Sequence, residues 1–301
     1  MFAGDQLSLW PCCSGVTAGV VSPPYMRFLS FLPKSYLSWF VGHAARLPLP
    51  RPLARFSISL FAQAYSIDPT LATRPLDSFC SIGDFFTRDL KPEFRPIGEG
   101  PVCPVDGTLR SCQVLSASGE VAQVKGKSFS ISELLAGDDV AKRCERGQLW
   151  NFYLSPQDAH HIHSPVDGHI VRTIHIPGKL WPVNDWALAS IDRLFAVNER
   201  VVSVIESSEG LVAVVMVGAT NVGRIKLAYS DLVTNRYPWG RKATTTVEHE
   251  VPIAVRRGQK IGTFMMGSSV LLVSEQQLAA VPSASMLIRV QYGVPLSNLA
   301  R

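Results

Sequence analysis

Apolar residues between Tyr25 and Ile67 recur at helical spacing, first as Leu37, Phe40, Val41 and Ala44 and then as Leu53, Phe56 and Leu60. Pro48, Pro50 and Pro52 break the pattern between these stretches, because proline lacks the amide that a helix interior needs. The spacing predicts two or three short amphipathic helices. Beyond Pro101 the texture changes to short runs rich in Val and Ile, such as residues 168–176 and 211–217, punctuated by Gly, Pro and Asp. These predict strands. The string Pro-Val-Asp-Gly occurs at 104–107 and again at 165–168, each time followed by alternating residues, as a duplicated turn entering a strand would be. The expected fold class is α+β, with N-terminal amphipathic helices followed by a β-rich domain. Residues 1–24 are expected to be a poorly ordered extension, 25–75 the helical region and 76–301 the β-rich body.

Composition places the chain among globular proteins: 301 residues, 47% hydrophobic and 18% charged, enough to bury a sizeable core. The net charge of +5 is too mild to require a nucleic-acid partner. Its distribution says more. No acidic residue lies between Asp5 and Asp68, whereas Arg27, Lys34, Arg46, Arg51 and Arg55 are interleaved there with large apolar side chains. Such a segment suits an anionic membrane surface, so the helical region is expected to associate with a membrane, to pack on the body, or to use different faces for both. The sequence contains no apolar run long enough to span a bilayer. Cysteines 12, 13, 80, 103, 112 and 144 form no C-x-x-C pair, which points away from a structural zinc site and toward a reducing compartment.

Candidate chemistry concentrates in Phe152-Tyr-Leu-Ser-Pro-Gln-Asp-Ala-His-His-Ile-His-Ser-Pro-Val-Asp-Gly168, which holds His160, His161 and His163. Histidine moves protons near neutral pH or ligates metals. On a strand, neighbouring side chains face opposite ways, which makes one ion shared by all three difficult, and a solvated polar turn is the plain alternative. The second feature is the Gly267-Ser268 step at the head of the apolar run 270–273. Alone it is a turn entering a strand. Chemically, a glycine carbonyl is open to attack and the neighbouring serine hydroxyl can attack it once a base takes its proton. The peptide bond would become an ester. Elimination across the serine Cα–Cβ bond, followed by hydrolysis, would leave a ketone at a new chain terminus.

Together these motifs resemble the phosphatidylserine decarboxylase family, whose members are self-processing, pyruvoyl-dependent enzymes. The similarity begins at Leu32-Pro-Lys-Ser-Tyr-Leu37 and reaches the C-terminal strand region. Phe85-Phe-Thr-Arg-Asp-Leu-Lys-Pro92 resembles the family's linker, Pro104-Val-Asp-Gly107 its aspartate motif and Leu154–His163 its histidine motif. Residues 194–202 and 217–223 are similar to two further signatures, and Gly267-Ser268-Ser269 to the processing site. Two departures stand out: the processing site reads Met-Gly-Ser-Ser where Leu-Gly-Ser-Thr is commoner, and Ala159 stands where an aromatic residue is frequent.

The resemblance implies roles. Ser268 is the self-processing nucleophile and the source of the covalent pyruvoyl cofactor, His163 its base and Asp106 the acid that orients His163. Asp167 competes with Asp106 for that last role. His160 assists substrate binding or decarboxylation. His161 holds a variable position and is expected to be exposed, and no metal is implied. Cleavage between Gly267 and Ser268 would give a β chain, 1–267, and an α chain, 268–301, that stay together, with a further dimer left open. The implied reaction turns phosphatidylserine into phosphatidylethanolamine and CO2 through a Schiff base, on the cytoplasmic side of a bacterial cell membrane. Asn198, Glu199, Arg200 and Asn221 read either as pocket residues or as turn residues with a core-edge ion pair, and Gly218 and Gly223 as backbone glycines.

Overall fold

The computed structural model describes residues 34–123, 126–220, 224–236, 243–265, 269–282 and 287–300. The expected extension over 1–24, the Gly267–Ser268 bond, Asn221 and Gly223 lie outside the described residues. Helices α1 (Lys34–Ala44) and α2 (Arg51–Ala64) flank the proline-rich turn, with Pro50 at the N-cap of α2 and Pro52 in its first turn. There a missing amide costs no intrahelical bond. Helix α2 buries Ala54, Ile58 and Ala62, four residues apart, against Ile67, Ala72, Phe79 and Phe85. The bulky set that marked this helix in the sequence lies on another face: Leu53, Phe56 and Leu60 are 51%, 67% and 56% exposed. The small alanines let the backbone approach its neighbours, so packing uses the less hydrophobic stripe.

A third helix, α3 (Ile82–Phe86), starts at Ser81, whose hydroxyl accepts the Asp84 amide. Gly83 donates its amide to the Ala45 carbonyl at 2.7 Å. A Cβ at Gly83 would stand 2.7 Å from Arg46 Cγ and 3.0 Å from that same carbonyl oxygen, so only glycine permits this approach. The contact ties α3 to the turn after α1. The α+β class expected from the sequence is the one observed.

The body is built from thirteen described strands: β1 (Gly107–Val114), β2 (Glu120–Ala122), β3 (Ser128–Ser130), β4 (Gln148–Tyr153), β5 (His161–His163), β6 (Gly168–Ile176), β7 (Arg200–Ser207), β8 (Gly210–Val217), β9 (Ile225–Leu227), β10 (Thr245–Val255), β11 (Lys260–Phe264), β12 (Ser269–Ser274) and β13 (Ile288–Val290). Eight form one antiparallel sheet in the order β10-β6-β7-β8-β12-β4-β1-β13. Both Pro-Val-Asp-Gly strings enter strands as expected, with Gly107 opening β1 and Gly168 opening β6.

The central strands read as unbroken apolar runs because the sheet is covered on both faces. Along β8, Leu211, Ala213, Val215 and Val217 join the core on one side, while Val212, Val214 and Met216 join the core on the other. The first side is closed by Ile131, Leu134 and Leu135 of α4 (Ile131–Leu135), by Val140 of α5 (Asp138–Arg143), by Ala187 of α6 (Asp185–Ser190) and by Phe195 of α7 (Leu194–Val197). The second side is closed by Ile162, Ile225, Ile261 and Phe264 from a three-stranded sheet in the order β5-β11-β9. That small sheet carries the histidine motif.

Candidate active site

The turn before β5 is shaped by Asp158, whose Oδ2 accepts both the amide and the hydroxyl of Ser155 at 2.7 Å. Its Oδ1 takes Arg289 Nη2 at 2.6 Å. This turn delivers His160 into the interior, where its ring lies 3.9 Å from that of Phe86. His160 Nδ1 meets the Asp158 carbonyl at 2.8 Å, which makes Nδ1 the protonated nitrogen. Nε2 is left with its lone pair, buried and without a hydrogen-bond partner among the described residues. Burial, then the Arg88 and His161 charges, outweighs the Asp158 bond and pushes the pKa down to about 3. His160 is therefore neutral at physiological pH.

His163 is held on the same logic. Pro104 O accepts the His163 amide at 2.8 Å and its Nδ1–H at 3.3 Å, leaving Nε2 as the basic nitrogen. The ring stacks on Tyr292, and burial, followed by the charge of His161, pushes the pKa down to about 3. Asp106 lies at the next turn of the same string but makes no direct hydrogen bond to His163 among the described residues. It is buried in a fork from Arg95, with Nη2 at 2.6 Å and Nε at 3.0 Å, and it accepts the Tyr292 amide at 2.9 Å. Asp106 thus reaches His163 through Tyr292. The duplicate Asp167 is exposed and bonded to Arg257.

Contrary to expectation, His161 is buried. Its Nδ1 stands 2.9 Å from Thr263 Oγ1 and its Nε2 stands 3.1 Å from Asp89 Oδ1, so β11 and the linker after α3 close over it. Asp89 also takes Lys260 at 2.6 Å. Its carboxyl is held well below the usual range, first by His161, then by Lys260. Among the described residues no three His, Cys, Asp or Glu side chains converge as metal ligands would.

Strand β5 is laddered to β11, and the Phe264 amide donates to the His160 carbonyl at 2.8 Å. The chain re-enters the large sheet at Ser269, which pairs with Tyr153 on one side and Val217 on the other. Gly267 and Ser268 fall in the connection between β11 and β12, flanked in sequence by the strand that borders the histidines.

The sequence matches known proteins over most of its length. The family model described as phosphatidylserine decarboxylase matches residues 82–296. A phosphatidylserine decarboxylase proenzyme of Myxococcus xanthus is 40% identical over 255 residues, 83% of this chain and 89% of the relative. One from Anaeromyxobacter is 38% identical over 281 residues, 92% and 98% of the two chains. A third, from Brevibacillus brevis, is 38% identical over 253 residues, 81% and 86%. The chain belongs to the phosphatidylserine decarboxylase family.

Within this decarboxylase-family fold, the residues 198–200 are scaffold. Asn198 bridges both backbone groups of Trp181 and the Gly218 carbonyl. The ion pair expected at the core edge is absent between Glu199 and Arg200: Glu199 instead takes His175 at 2.8 Å and Asn235. Arg200 gives its guanidinium to the carbonyls of Glu133, Leu134, Ala196 and Asn198, closing the ends of α4 and α7. The side chains that sequence reasoning missed are Phe86, Arg88, Arg95 and Tyr292. The first two sit in Phe85–Pro92, whose density of aromatic and charged residues was a signal; Arg95 and Tyr292 are brought to Asp106 only by the fold.

Proposed function

We propose that this chain is a phosphatidylserine decarboxylase proenzyme that cuts itself between Gly267 and Ser268 and then releases CO2 from phosphatidylserine, leaving phosphatidylethanolamine. The observation that carries the reading is the fixed tautomer of His163, a buried neutral imidazole whose Nδ1 is committed to Pro104. Its Nε2 is free to take a proton, on the strand laddered to the one that leads to Gly267.

In the self-processing step, His163 accepts the Ser268 hydroxyl proton as the oxygen attacks the Gly267 carbonyl, and the proton passes to the departing amine nitrogen. An ester replaces the peptide. Loss of the Ser268 α-proton then expels the Gly267 carboxylate, and hydrolysis of the dehydroalanine releases ammonia. Asp106, neutralised by Arg95, holds Tyr292 against the His163 ring rather than drawing a proton itself. The pyruvoyl ketone so made supplies the electrophilic carbonyl and electron sink that decarboxylation of an amine-bearing carboxylate needs. His160 suits that chemistry: its unpartnered Nε2 can take up a proton and pass it to the carbon that loses CO2, and the Phe86 ring packed on it makes its surroundings apolar.

The exposed Phe40, Leu53, Phe56 and Leu60, together with Arg51 and Arg55, suit docking on an anionic bilayer surface as a peripheral protein of the cytoplasmic side. No helix among the described residues is long and apolar enough to cross a membrane. Strand β12 lies between β8 and β4, which supports a lasting pair of β chain 1–267 and α chain 268–301.

A denaturing gel and intact mass of the purified protein test the reading. Two chains ending at 267 and beginning at a modified 268, with CO2 released from phosphatidylserine vesicles, are expected. Ser268→Ala should give one uncut, inactive chain. A wild type that remains a single full-mass chain and releases no CO2 would sink it.

A further inference from the structure

Arg88 is almost fully buried, yet no carboxylate among the described residues pairs with it. Its Nη2 donates to the Gln157 carbonyl at 2.7 Å, while Nε and Nη1 have no acceptor among the described residues. The neighbouring carboxylates are already taken. Asp106 belongs to Arg95, Asp158 to Arg289, and Asp89 to Lys260 and His161. Burial lowers the Arg88 pKa to about 10, partly offset by Asp106 and Asp158, so the guanidinium remains charged at neutral pH. His160 feels that charge and is itself neutral. With each nearby acid matched by another base and with His160 and His163 uncharged, the Arg88 guanidinium is left without a carboxylate beside His160.

A buried cation without a counter-ion is costly, and proteins keep such groups where an anion completes them. We infer that Arg88 is the receptor for the substrate's phosphodiester, binding it through the two unused guanidinium nitrogens. This rests on the decarboxylase reading above. Of the two anionic groups on such a substrate, the carboxylate loses its charge as CO2 departs. A cation clamped on it would stabilise the starting state and slow the step. The phosphodiester keeps its charge throughout, so Arg88 can hold it without opposing the chemistry. Arg88 is two residues from Phe86, which packs on His160, and its own bond goes to the residue before Asp158. The anion receptor and the candidate proton carrier are therefore positioned by the same two segments.

The test uses dihexanoyl phosphatidylethanolamine, which has the phosphodiester and no carboxylate, binding to wild type, Arg88→Met and Arg88→Lys by calorimetry. Arg88→Met should weaken binding by about tenfold to a hundredfold, as loss of a charge-assisted bond does, and Arg88→Lys by less. In turnover of dihexanoyl phosphatidylserine, KM should rise by a similar factor while kcat moves little. The calorimetric arm stands even if the wild type releases no CO2, an outcome that would instead overturn the decarboxylase reading. Equal affinity of a folded Arg88→Met for the probe overturns the inference, as does a folded Arg88→Met chain that binds normally but no longer cuts itself. Should Arg88→Met fail to fold, Arg88→Lys decides: unchanged affinity for the probe overturns the receptor role.

Discussion

The ring of Tyr292 lies flat on that of His163, with centroids 3.7 Å apart and planes 11° apart, while the Tyr292 amide holds Asp106. One residue therefore joins the carboxylate to the imidazole. Tyr292→Ala should slow self-cleavage about threefold to tenfold, the worth of an aromatic stack, and Tyr292→Phe should cleave nearly as fast as wild type. Band intensities over time after synthesis in a cell-free system give the rate. Identical rates for Ala and wild type would remove the stack from the mechanism.

His160 and His163 both have pKa values pushed down to about 3 by burial, against about 6.5 for a free imidazole. The folded state thus binds these protons less readily than the unfolded one. The stabilisation is complete above about pH 6.5 and drains away as the pH falls toward 3, by about 1.4 kcal/mol per pH unit for each histidine. Urea midpoints measured from pH 7.5 to 4.5 should fall steeply, and His160→Gln should flatten the slope. His163→Gln should also leave the chain uncut, a readout that acid stability alone would not move.

Arg95 and Asp106 form a buried ion pair, so removing one partner strands the other charge. Arg95→Met should destabilise by about 3–5 kcal/mol, and Arg95→Met with Asp106→Asn should recover much of that loss. Thermal melts of Ser268→Ala backgrounds measure this without interference from cleavage. If the double variant is no more stable than Arg95→Met alone, the pair is not the dominant energy at that position.

On the surface, the triple change Leu53→Ser, Phe56→Ser and Leu60→Ser removes exposed apolar area and leaves the buried Ala54, Ile58 and Ala62 face intact. Co-sedimentation with anionic vesicles should drop by about tenfold or more, since burying each side chain is worth roughly 1.5–3 kcal/mol. Self-cleavage and turnover of a soluble short-chain substrate should persist. Undiminished vesicle binding would place the membrane contact elsewhere.

Local pattern made much of this fold legible. The runs at 168–176 and 211–217 became β6 and β8 because alternation and continuous apolarity register which faces are covered. The cluster that holds His160 and His163 was legible as the candidate site, and the turn leading into β1 was legible as structure. What stayed hidden depended on distance in sequence. Tyr292 lies 186 residues from Asp106, and no spacing rule connects them. The burial of His161 follows from Thr263 and Asp89 arriving from other segments. Helix α2 left its packing face open for a different reason: it is apolar on two faces, and size decided which one packs.

Strand β12 follows the proposed cut yet occupies the middle of the eight-stranded sheet, and the stretch after that cut also contributes Arg289, Tyr292, Leu296 and Leu299. Cutting before it would convert an intramolecular element into a non-covalent subunit gripped on both edges. The native assembly would lose nothing, but the denatured state would gain the freedom of two separate molecules. Maturation would then act as a ratchet: the protein acquires its fold as one polypeptide, and once cut it has a recovery after denaturation that depends on concentration.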